Sequence, residues 1–393
     1  MVKRILAVIL AMLVICSTGC RYIDRIFPDA TLQPTSVPSE TASDEPVTTD
    51  EPTELPTESA SEQPTDMPTE VPTDEPTNEP SEVPTEAPTA KPTEEPTPAP
   101  TEVATTKYKC RSNVLNVRSA PKSDAPVVGT LKFEEEVQYI CSVDNSFASI
   151  LYKGKTCYCY SSYLVPAKET LYGYLPPQYE YKTDDHGNIQ YDNTGAPIML
   201  TSELIDIRLV VPSAEIYQIF GTNKNFTGEV LYKRSVPVIQ TGTAKKLMEA
   251  AKRFAQDGYR IKIYDCYRPK SVQYILYDIV QNSAYIANPY NSASNHNRAA
   301  AVDMTLIGPD GKELEFPSPM HTFTPLVYRS SRYQWTEEQR KNVDYMTSVM
   351  LDCGFKLINT EWWHFSDTDY PSYIVLDVDM RDIPMYTARQ LGF

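Results

Sequence analysis

SNHNRAAAVD, Ser294 to Asp303, and EWWH, Glu361 to His364, are the stretches on which the reading of this chain turns. They couple histidine to carboxylate as His-x6-Asp and Glu-x-x-His. A catalytic zinc is held by three nitrogen or oxygen ligands and keeps a fourth position for water, so two histidines and one carboxylate suffice. His296, Asp303 and His364 make such a set. Glu361 is then left as the general base, three residues before a ligand, where one bend can aim both side chains at the same water. A straight strand would turn positions 361 and 364 to opposite faces, so a turn or bulge is expected between them. The chain has 4 histidines. His186, in the turn-like DDHGN, reads as a solvated loop residue, and His321 receives no assignment.

The flanking sequence predicts the frame for these residues. AAAVDMTLI reads as a buried strand carrying Asp303, with His296 in the loop before it. YRIKIYDCYRP alternates as a strand that delivers Arg268 at its end, and FKLINTEWWHF reads as the last strand of the site. TAKKLMEAAKRFAQDG, Thr243 to Gly258, places apolar residues at 244, 247, 248, 251, 254 and 255 on one helical face, with Gly258 as its stop. SVQYILYDIVQ predicts a second helix. Thr336 and Gln339 open a third with a capping box, running to about Cys353 and closed by Gly354. DDHGN and DNTGAP are turns of a hairpin leading into the domain. The expected class is α+β with a central, largely antiparallel sheet.

SNHNRAAAVDMTL and EWWHF, together with NKNFTG (Asn223 to Gly228) and YDCYRPKSVQ (Tyr264 to Gln273), resemble the zinc D-alanyl-D-alanine dipeptidases of vancomycin resistance, in matching order over roughly residues 200–393. The resemblance implies one zinc on His296, Asp303 and His364, Glu361 as catalytic base, and Arg268 polarising the scissile carbonyl. A planar, permanent cation suits an oxyanion. Ser294 is available to bind a substrate carboxylate or carbonyl. Two departures bear on function. Ala299 stands where the family carries glycine, which is tolerable only if the backbone there needs no positive φ. MHTFTPL, Met320 to Leu326, stands where the family has a Met-Gly-Thr-x-Phe-Asp-like stretch whose acid helps to bind a dipeptide amine. The implied activity is therefore a dipeptidase; the alternatives are a D,D-carboxypeptidase trimming stem peptides and a catalytically inactive cell-wall-binding lipoprotein.

At the start of the chain, Lys3 and Arg4 precede an apolar run, Ile5 to Ile15, too short to span a bilayer and suited to a signal peptide. Ser17-Thr18-Gly19-Cys20 resembles a lipoprotein cleavage box, which makes residues 1–20 the signal segment, Cys20 the lipidated residue, and the protein an exported one held at the membrane facing the cell wall. Residues 21–106 form a linker of PT-x-x-P steps with about 20 acidic and 3 basic side chains, which accounts for nearly all of the net charge of −16. Such a tract has little to bury and stays disordered as a stalk. At about 3.1 Å per residue its upper reach is on the order of 200 Å. Its acidity argues against nucleic acid as a partner.

From 107 to 168, short apolar alternations between turns predict a small all-β unit. LNVRSAP, VVGTL and YKGKTCYCYSSYL resemble a bacterial SH3-like domain, which implies a module for cell-wall peptides. The remaining 169–393 is long enough for one substantial core. Cys110, Cys141, Cys157 and Cys159 fall in the small unit, and Cys266 and Cys353 in the large one. Export permits disulfides, but four cysteines allow three pairings, so none is assigned. Cys266, without a neighbouring histidine in sequence, makes a poor nucleophile.

Overall fold

The computed structural model describes residues 105–393. The signal segment, Cys20 and nearly all of the Pro/Thr tract lie outside the described residues.

In the small unit, alternation of buried and exposed side chains builds seven strands: β1 (Thr106–Cys110), β2 (Val114–Arg118), β3 (Val127–Lys132), β4 (Glu136–Ser142), β5 (Phe147–Tyr152), β6 (Lys155–Tyr160) and β7 (Leu164–Pro166). They pair antiparallel in the order β3-β2-β6-β5-β4-β1-β7. Lys153 and Gly154, at φ 50° and 76°, form the two-residue turn between β5 and β6. That left-handed pair matches strand twist, and glycine adopts it without a Cβ clash. Leu115, Val117, Leu131, Ala148 and Ile150 fill a core of their own, alongside Cys110, Cys157 and Cys159. All six described cysteines are free.

The larger domain adds β8 (Tyr172–Tyr181), β9 (Met199–Asp206), β10 (Glu215–Ile216), β11 (Val238–Gln240), helix α1 (Thr241–Gln256), β12 (Arg260–Asp265), α2 (Lys270–Val280), β13 (Ala301–Ile307), α3 (Glu337–Asp352), β14 (Phe355–Leu357), β15 (His364–Asp367) and β16 (Met385–Tyr386). One sheet runs β10-β12-β13-β15-β14 and a second β11-β9-β8-β16. Among the described strand pairs only β10–β12 is parallel, so the α+β class with a largely antiparallel sheet holds. All seven residues of β13 are buried, as its continuous apolar run requires.

The helix signals hold with small shifts. α1 begins two residues earlier than predicted and buries Ala244, Leu247, Ala250 and Phe254, while Ala255 faces out. α3 has the predicted capping box, Thr336 with Gln339, and ends before Gly354, whose φ of 85° only glycine adopts without strain. One expectation fails. FKLINTEWWHF is not a single strand: β14 and β15 are separate antiparallel partners, and residues 358–363 leave the sheet between them. Trp362 stacks on Phe316 at 4.7 Å and is fully buried, while its edge-on neighbour Trp363 lines a cavity on the other side.

Candidate metal centre

The register of three adjoining strands assembles the site. Asp265 at the end of β12 lies opposite Asp303 on β13, and Asp303 lies opposite His364 on β15. Directly opposed residues share a sheet face, so two carboxylates and an imidazole stand in one row. His296 reaches that row from the 3-10 turn Asn295–Arg298, capped by Ser294, whose Oγ accepts from His296 N at 3.3 Å. The turn is locked to the segment after β12, because His296 O accepts from Arg268 N at 3.1 Å.

His296 Nε2 lies 3.1 Å from His364 Nδ1 and 3.3 Å from Asp303 Oδ1, and His364 Nδ1 lies 3.0 Å from the same oxygen. These three buried residues offer ligand atoms within 4.8 Å of one another. Their outer hydrogen bonds favour lone pairs facing inward. His296 Nδ1 lies 2.7 Å from the Cys266 carbonyl, which can only accept, so Nδ1 carries the proton and Nε2 is bare. In the tautomer that donates from His364 Nε2 to Ser366 Oγ, at 2.8 Å, Nδ1 is bare too. Two bare nitrogens and a carboxylate oxygen in contact repel one another unless a cation lies between them, so the donor set fits a divalent metal.

Asp265 carries the second negative charge of the row and is neutralised separately. Its Oδ2 accepts from Arg268 Nε at 2.9 Å and Nη2 at 2.6 Å, and its Oδ1 from the Tyr232 hydroxyl at 2.8 Å. Arg268 Nη1 donates to Gln273 Oε1 at 2.7 Å. Three of its five N–H groups are thus committed, and two remain on the cavity side. Burial works to raise the Asp303 pKa, but the surrounding histidines, His296 foremost, hold it well below the usual carboxylate range.

Glu361 sits in the predicted bend before β15, its Oε2 3.8 Å from His364 Nδ1. Burial first, then the Asp303 charge, push its pKa up to about 7, against the opposing pull of His364, Arg268 and the Trp363 indole. A carboxylate poised near neutrality suits proton transfer in both directions. Cys266 is fully buried with its thiol pushed well upward by desolvation, which removes it as a nucleophile.

Arg268, His296, Asp303, Glu361 and His364 border one cavity of about 230 Å³, with Ser294, Tyr285 and Phe323 among its walls. Among the described residues, the only carboxylates lining it are Asp303 and Glu361. The structure therefore brings together His296, Asp303, His364, Glu361, Arg268 and Ser294. It adds two residues that the sequence did not assign. Asp265 stood inside a quoted motif, yet its role depends on cross-strand register. His321 lies 3.0 Å from Asp303 Oδ2 and could have been found only by its rarity, since no spacing rule links it to the other ligands. His186 is exposed, as expected of a loop residue. Ala299 corrects an expectation: its φ is 52°, so the backbone does need the left-handed conformation that glycine would supply.

Known proteins resemble this chain in three segments. Residues 200–383 match the family described as D-ala-D-ala dipeptidase, residues 113–165 the bacterial SH3 domain, and residues 48–90 the PT disordered repeat. The D-alanyl-D-alanine dipeptidase of Escherichia coli (strain K12) is 28% identical over 178 residues, which is 45% of this chain and 90% of that protein. The dipeptidase of the same name from Enterococcus faecium is 27% identical over 187 residues, 39% of this chain and 86% of its own.

Proposed function

We propose that this protein, whose residues 200–383 match the D-ala-D-ala dipeptidase family, is a zinc-dependent peptidase that hydrolyses D-alanyl-D-alanine or a related cell-wall peptide. The observation that carries this reading is the convergence of His296 Nε2, His364 Nδ1 and Asp303 Oδ1 beside Glu361 in one cavity. Zinc, when bound, supplies a Lewis acid and lowers the pKa of water towards neutrality. Glu361 takes the proton from the attacking water and returns it to the leaving amine. Arg268, held in place by Asp265 and Gln273, turns its remaining N–H groups to the oxyanion. Ser294 contributes a hydroxyl donor to the substrate while its oxygen caps the His296 turn.

A D,D-carboxypeptidase is the second reading, and the charge inventory of the cavity favours it. A free dipeptide presents an ammonium group, and both lining carboxylates are already committed, Asp303 to the metal set and Glu361 to the proton. A stem peptide, acylated at that end, needs no such partner. D-alanine release from D-Ala-D-Ala and from a cell-wall pentapeptide decides between them. Under either reading, a chelator abolishes release, and Glu361→Gln lowers kcat by about 10²–10⁴-fold with zinc retained. No release from either substrate by the zinc-loaded protein would leave the binding-protein alternative standing. The reading also places the protein outside the cell, lipidated on Cys20, with the SH3-like unit engaging the wall. It rests there on the leader sequence and the small-domain match. Cys20→Ala is expected to move the protein from the membrane fraction to the medium.

A further inference from the structure

We propose that His321 is a positioning residue of the metal centre, holding Asp303 to a single metal-facing oxygen; this rests on the zinc reading above. The two oxygens of Asp303 have divided surroundings. Oδ1 faces His296 Nε2 and His364 Nδ1, whereas Oδ2 faces His321 Nε2 at 3.0 Å and Arg268 Nη2 at 4.0 Å. A carboxylate oxygen accepts, so His321 donates from Nε2. Left without that donor, Oδ2 is free to turn towards the ion as a second ligand atom and crowd the position that water needs.

Three further features support the assignment. His321 lies outside the group of residues whose ligand atoms converge, so it acts on Asp303 and not on the ion. Its ring is wedged between Phe220, with centroids 5.0 Å apart, and Trp363, at 5.9 Å, which fixes the direction of its N–H. Its backbone holds φ 53°, a left-handed conformation uncommon outside glycine, although its side chain is only 7% exposed. Strain of this kind persists where surrounding contacts over-determine it.

In the full-length protein, His321→Gly relieves the backbone but empties a buried ring site, so the variant is first shown to be folded by the thermal melt of its zinc-free form. Zinc affinity, measured by competition with a chromogenic chelator, is expected to fall about 10–100-fold. In the loaded enzyme kcat falls while KM for the peptide stays within about twofold. His321→Gln, whose amide N–H replaces Nε2–H, is expected to recover most of the affinity. A folded His321→Gly protein that binds zinc as tightly as the wild type would overturn this proposal alone. Equal losses in the Gly and Gln variants would overturn the donor role. A wild type that binds no zinc would overturn the metal reading and this inference with it.

Discussion

At Ala299 the loop from His296 to Asp303 turns through φ 52° and ψ 31°, with the methyl group fully buried. An L-residue in that region costs roughly 1–2 kcal/mol. Replacement by glycine removes this cost but loses about 0.8 kcal/mol of methyl burial and adds roughly 0.5–1 kcal/mol of chain entropy. The terms nearly cancel, so Ala299→Gly should leave the urea midpoint close to that of the wild type. Ala299→Val adds β-branched bulk to the same conformation in a filled site, and a loss on the order of 3 kcal/mol is expected in the same urea titration. The comparison shows what residue types reveal in sequence and what they conceal. His296, Asp303, His364 and Glu361 were legible because ligand chemistry restricts the types and their spacing. The φ of Ala299 and of His321 was not, because alanine and histidine do not advertise a left-handed backbone as glycine does.

Between elements, Asp367 at the end of β15 anchors the site sheet to α1. It is fully buried, accepts from Thr243 Oγ1 at 2.6 Å and from Asp369 N at 2.9 Å, and pairs with Lys246. Asp367→Ala strands the buried Thr243 hydroxyl and leaves Lys246 only Asp369 and Thr368 as partners, so urea denaturation of the zinc-free protein should show a loss of roughly 1–3 kcal/mol. Ser366, one residue earlier, has a different task. Its Oγ receives Asn295 Nδ2 at 2.9 Å and faces His364 Nε2. Ser366→Ala should change the urea midpoint little yet weaken zinc about 10-fold in a chelator competition. Strand and helix periodicities made most of these elements readable in advance. Their register was not readable: the opposition of Asp265, Asp303 and His364 belongs to pairing between strands far apart in the chain. The bend between Glu361 and His364 was expected, but its full extent from residue 358 was not, since two adjacent tryptophans buried on opposite sides look like strand alternation.

Across the whole molecule, two arginines join the small β unit to the peptidase-like domain. Arg111 lies over the Tyr386 ring at 4.8 Å and donates to Met385 O at 2.6 Å. Arg234 reaches back over Phe133 at 4.4 Å, donates to Asn113 Oδ1 at 3.0 Å and to the carbonyls of Met380 and Ile383 at 2.8 Å each. Val165 of β7 even packs into the larger core. The wild type should therefore unfold in one calorimetric transition, and Arg234→Ala should split it into two. Each domain was visible in the sequence through its own alternation. The clasp between them was not, because its acceptors are mostly main-chain carbonyls, which every residue provides. The clasp turns two modules into one ruler: under the proposed function, a wall contact made by the small domain would hold the cavity at one fixed offset from it, so the protein itself would set the distance between grip and reaction.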